Sequence, residues 1–130
     1  MLGLIFSYFH ARDLAALGDR RALVYEPEPR GWMGAREAVA RGEIRLHKST
    51  LKLIESHGLA KGNVLAAARL AGIQAAKKTG ELIPLCHPLP ITHCEVNFET
   101  PSTRDRIVIT AAARITAPTG VEMEALTAVT

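Results

Sequence analysis

A chain of 130 residues, 48% apolar and 22% charged, has room for one hydrophobic core but not two, and its composition excludes a disordered polymer. The formal charge of +3 favours anionic ligands only mildly. Tyr25, Trp32 and Phe98 are the only aromatics beyond the first nine residues, too few for the stacking platforms of a nucleic-acid groove, and phosphate on a small molecule suits the charge better.

The opening MLGLIFSYF is apolar but short, lacks a basic n-region and soon meets Arg12 and Asp13. It reads as a terminal strand or packing segment rather than a targeting peptide. No apolar run approaches the ~20 residues of a membrane span, so no membrane partner is expected. Two cysteines do not make a disulfide framework, which points to a reducing, cytoplasmic setting.

Residues 21–25 read as a short strand and 26–34, EPEPRGWMG, as a loop. Residues 35–41 read as a short helix closed by Gly42. Ser49 or Thr50 is expected to cap a helix running to about His57 and stopping at Gly58. The clearest helix follows, capped by Asn63, filled by Val64 to about Thr79, favoured at its C-terminal dipole by Lys77 and Lys78, and ended by Gly80. Its body, VLAAARLAGIQAA, is apolar around most of its circumference, and burial against a second subunit is the economical explanation. HCEVNFE alternates with Cys94, Val96 and Phe98 on one face, and RIVITAAARIT with Ile107, Ile109, Ala111, Ala113 and Ile115. The intervening TPSTRD predicts an antiparallel hairpin. A last helix is expected at TGVE, where Thr119 and Glu122 match a capping box. Helices packed on one antiparallel sheet make an α+β layout.

The stretch LIPLCHPLPITHC, residues 82–94, holds both cysteines and two of the five histidines, a ligand set suited to zinc. The spacing disfavours that reading. On a strand, His93 and Cys94 point to opposite faces, and Cys86 and His87 are likewise adjacent. Cys94 is then a core residue and His93 a solvated one. His87 differs, because Pro84, Pro88 and Pro90 fix the backbone around it and hold one side chain at low entropic cost. A histidine hydrogen-bonded in a turn is an equal reading from the residues alone. Lys61, Gly62 and Asn63 stand where free amides and a positive dipole end gather, a candidate anion site, although an ordinary exposed lysine is the more frequent case. Glu122 and Glu124 differ by about 200° around a helix and cannot form a same-face pair. Glu122 has its explanation in the capping box, whereas Glu124 has none and is the better functional candidate.

Taken together, KGNVLAAARLAGIQAAKKTGELIPLCHPLP and TGVEMEALTAV closely resemble the MoaC family, the cyclic pyranopterin monophosphate synthases of molybdenum cofactor biosynthesis. REAVARGEI extends the likeness toward the N-terminus, which divides the chain into a divergent segment, 1–34, and a MoaC-like domain, 35–130. The resemblance implies a ferredoxin-like two-layer α+β sandwich, assembled through dimers into a hexamer with sites at subunit interfaces. It implies a lyase that rearranges a guanosine-triphosphate-derived substrate, 3′,8-cyclo-7,8-dihydroguanosine 5′-triphosphate, to a pyranopterin with a cyclic phosphate and releases pyrophosphate. By that likeness Leu85, Cys86, His87, Met123 and Glu124 line the substrate site with Glu122 beside them. Lys61 is the catalytic, phosphate-holding residue and Lys77 a second basic contributor. No metal or organic cofactor is implied.

Three departures qualify the match. The family reads K-G-D where this chain has Lys61, Gly62 and Asn63, which a cap tolerates. YEPE, at Tyr25, does not match the family's early M-V-D-V. The family also continues past TAV, through a helix segment holding its catalytic aspartate and a nearby lysine, to a last strand. On that comparison the sheet is expected to lack its last strand. The chain is expected to turn substrate over poorly, or to act as a catalytically impaired subunit that binds substrate or intact relatives, since a proton-transfer group commonly contributes ~10²–10⁴-fold.

Overall fold

The computed structural model describes residues 33–56 and 62–130. Its elements run β1 (Gly34–Arg45), α1 (Lys48–Glu55), α2 (Val64–Lys77), α3 (Thr79–Leu82), β2 (His93–Glu99), β3 (Arg106–Ala117) and α4 (Glu122–Val129). The strands form an antiparallel sheet in the order β1-β3-β2, with helices α2 and α4 on one face. The architecture is α+β, and the sheet has three strands among the described residues.

The hairpin forms as its alternation requires. Val96 lies opposite Ala111 and Phe98 opposite Ile109, which puts Cys94, Val96 and Phe98 on the same face as Ile109, Ala111 and Ala113. That face meets the helices. One cluster joins Ala38, Ala40, Ala113, Ile115 and Ala117 to Val121 and Ala125 of α4, and a second joins Val96 and Ala111 to Ala76 of α2 and Ala128 of α4. So many alanines let helix and sheet backbones approach closely. At Gly72 a Cβ would stand 2.7 Å from the Ala128 carbonyl oxygen and 3.2 Å from a Val96 methyl, so α2 and α4 touch there through backbone.

Residues 35–41 are not a helix. They belong to β1, whose twelve residues pair with β3 from Gly34 opposite Ala117 to Arg45 opposite Arg106. The segment is rich in helix-forming Ala, Arg and Glu, but local propensity is weak beside a full ladder and the burial of Ala38 and Ala40. Neither Ser49 nor Thr50 caps α1. The helix starts at Lys48, with His47 in the N-cap position and no side-chain cap. Gly80 does not end the long helix: α2 stops at Lys77, and Gly80 lies inside the short α3. Thr119 does not cap α4 either, since Val121 holds the N-cap position and no side chain caps it. Buried Val121 serves the α4 start by packing instead. The expected segments at 1–9 and 21–25, most of the 26–34 loop, and His57, Gly58 and Lys61 lie outside the described residues.

Candidate functional site

After α3 the chain reverses in a turn, with the Cys86 N–H donating to the Ile83 carbonyl at 3.2 Å. Pro84 follows Ile83, and Leu85 takes φ 68°. This is the type II pattern, with proline setting the first central residue and positive φ required at the second. Glycine normally fills that second place. A leucine there costs of order 1 kcal/mol or more, and it is also fully exposed. The turn therefore presents an apolar side chain to solvent at a backbone cost.

The rest of the proline-rich segment is pinned from two sides. On one side, a Cβ on Gly80 would meet the Pro88 nitrogen at 2.8 Å and the His87 carbonyl carbon at 3.0 Å, so the segment lies directly on α3. On the other, Leu89 packs into the cluster that holds Val121 and Ala125 of α4, and Ile91 packs against the second cluster. This seating carries Cys86 to the first turn of α4. Glu124 is 3% exposed there. Burial holds its carboxyl above the ordinary carboxylate range, against an opposing hydrogen bond with its own backbone. Burial, and then the Glu124 charge, push the Cys86 thiol up. The two groups thus sense each other across two segments far apart in sequence.

The remaining expected residues fall as follows. His87 is exposed on the pinned segment, next to the Cys86 thiol in sequence. Met123 and Glu122 are half-buried on the first turn of α4, and the Met123 carbonyl accepts from Thr127 Oγ1 at 2.6 Å. Lys77 is exposed at the end of α2, and its charge acts on Cys94, opposing the rise that burial causes in that thiol. The structure thus brings Cys86 within reach of the Glu124 charge, with His87 next to Cys86 and Met123 next to Glu124 in sequence, while Lys77 is tied by its charge to the start of β2. At the α2 start, Gly62 has φ 85° and Asn63 accepts the Ala66 N–H at 3.0 Å, the cap expected there.

Cys94 and His93 separate as the strand requires. Cys94 packs against the second cluster, and His93 Nε2 lies 3.6 Å from Glu95 Oε2 on the open face. Both thiols are free, and no group of three or more potential metal ligands forms among the described residues. Sequence reading missed Arg36, a guanidinium 7% exposed on the core face of β1. Its signal was hidden because the segment read as a helix, where Arg36 had no reason to face inward.

The MoaC family model matches residues 33–130, from the edge of β1 through α4. The cyclic pyranopterin monophosphate synthase of Chloroflexus aggregans is 57% identical over 95 residues, covering 73% of this chain and 58% of that protein. The synthase of Pelotomaculum thermopropionicum is 58% identical over 95 residues, 73% of this chain and 56% of its own length. A probable cyclic pyranopterin monophosphate synthase of Pyrococcus abyssi is 55% identical over 95 residues, 73% of this chain and 58% of its own. The chain therefore spans a little over half the length of these relatives. With the match running through the sheet, its helices and the pinned proline segment, the chain belongs to the MoaC family.

Proposed function

We propose that this chain acts in molybdenum cofactor biosynthesis as a cyclic pyranopterin monophosphate synthase, a lyase. It converts 3′,8-cyclo-7,8-dihydroguanosine 5′-triphosphate to cyclic pyranopterin monophosphate and pyrophosphate. The observation that carries this reading is the packing of Leu89 against Val121 and Ala125, on a segment whose Cys86 lies within reach of the charge of buried Glu124. Expulsion of pyrophosphate needs oriented donors and fixed positive charge where negative charge develops. Opening and reclosing a purine-derived ring needs proton donors and acceptors at fixed positions. Glu124, held toward its neutral form by burial, is suited to donate a proton, and His87, rigidly carried and exposed, to accept or relay one. Lys61 is assigned to the phosphates, with Lys77 as a second cation. Leu85, Cys86 and Met123 line the base-derived ring, with Glu122 beside them.

The active assembly in this reading is a cytoplasmic homo-oligomer, of dimers building a hexamer. The outer face of α2 supports it: Ala66, Ala67, Leu70, Ala71 and Gln74 are all exposed, a largely apolar strip on an ordered helix. No described helix is long and apolar enough to cross a membrane.

Purified chain incubated with the cyclised nucleotide and assayed for pyrophosphate tests the reading. The expected result is turnover that falls by about 10²-fold or more in His87→Ala. Binding without turnover, with altered turnover on mixing with an intact family member, would instead assign the chain as an impaired, substrate-binding subunit. Neither binding nor turnover would remove both.

A further inference from the structure

Among the described residues the sheet has two outer strands, and one of them is engaged by a side chain from the helical layer. Arg69 of α2 reaches over β2, where its Nε donates to the Val96 carbonyl at 2.8 Å. The same guanidinium stands 5.7 Å from the centroid of the Phe98 ring. One cation therefore holds a main-chain acceptor and an aromatic ring of the same outer strand.

That strand is well suited to pairing with itself. Val96 is the middle residue of His93–Glu99. Laid antiparallel about Val96, two copies would set His93 opposite Glu99 and Cys94 opposite Phe98, polar facing polar and apolar facing apolar. The strand contains no lysine and no proline, the residues that most often discourage edge pairing. A self-complementary outer strand without such residues is a template for strand addition.

We propose that Arg69 is a built-in seal on β2, occupying the Val96 carbonyl and the Phe98 ring so that a second copy cannot add its own β2 there. A guanidinium suits the task because it donates in a fixed fork while its flat face lies on an aromatic ring. Lysine has the charge but not both contacts.

The test compares the self-association of the parent, Arg69→Ala, Arg69→Lys and Ile115→Ala by sedimentation over a concentration series. Infrared spectra report intermolecular antiparallel pairing. Ile115 lies in the other core cluster, so Ile115→Ala loosens the fold without touching the β2 edge. The seal predicts that Arg69→Ala raises the self-association constant about tenfold or more over the parent, with new intermolecular strand signal. Arg69→Lys should fall between, and Ile115→Ala should show no such signal. The proposal is overturned if Arg69→Ala associates no more than the parent, or if Ile115→Ala associates equally. If Arg69→Ala fails to fold, Arg69→Lys decides alone: a rise in association and strand signal supports the seal, and parent-like behaviour removes it.

Discussion

Glu124 is the residue whose surroundings conflict most with its chemistry. A carboxylate three residues into a helix gains from the dipole, yet here desolvation dominates and raises its pKa. A folded-state pKa above the unfolded one means that folding favours the protonated form. Stability contributed by that proton is fully present below the unfolded carboxylate pKa and is lost as pH rises through the folded value. Glu124→Gln is neutral at every pH and keeps the shape. It should therefore be more stable than the parent at pH 7, with the gap closing as pH falls through the carboxylate range, measured by denaturant unfolding across pH. A gap independent of pH would show that Glu124 is not held in the shifted state. Such a residue sacrifices stability where it stands, as groups retained for chemistry do. Its candidacy was legible from sequence because no cap or pair explained it, whereas the reading of Thr119 as the cap failed once Val121 proved to hold that position.

Among the elements, α2 and α4 show why alanine and glycine dominate this sequence. Their contact at Gly72 leaves no room for a methyl group, since the added Cβ would meet the Ala128 carbonyl oxygen at 2.7 Å. Gly72→Ala gains roughly 1 kcal/mol of helix propensity but forces apart packed backbone, which costs about 1–3 kcal/mol. A net loss of about 1 kcal/mol in denaturant unfolding is expected, and a stabilised variant would mean that α2 and α4 are farther apart than described. The hairpin and the long helix were readable because their period-two and capping signals are local: His93–Glu99 and Asn63 appear where the pattern put them. β1 was not readable, because GAREAVARGEIR becomes a strand only through β3, sixty and more residues later in the chain. The short α3 escaped for a related reason, since Gly80 is chosen for contact with His87 and Pro88 rather than for ending a helix.

At the scale of the whole molecule, the fold works as a clamp on one irregular segment. α3 lies against it at Gly80, the sheet and α4 take up Leu89 and Ile91, and the turn at Leu85 accepts a strained backbone. The identity of the segment was legible from its motif. Its proximity to Glu124 was not, because that depends on how α4 crosses the sheet. The most direct test of a nucleotide site at this junction is the alkylation rate of the two thiols, read by mass spectrometry with and without the cyclised nucleotide. Half-buried Cys86 lies at the proposed site, and Cys94 on the core face of β2 is an internal control. The nucleotide should slow labelling of Cys86 by about tenfold or more at saturation and affect Cys94 much less. Equal labelling of Cys86 with and without saturating nucleotide would contradict the placement of the site.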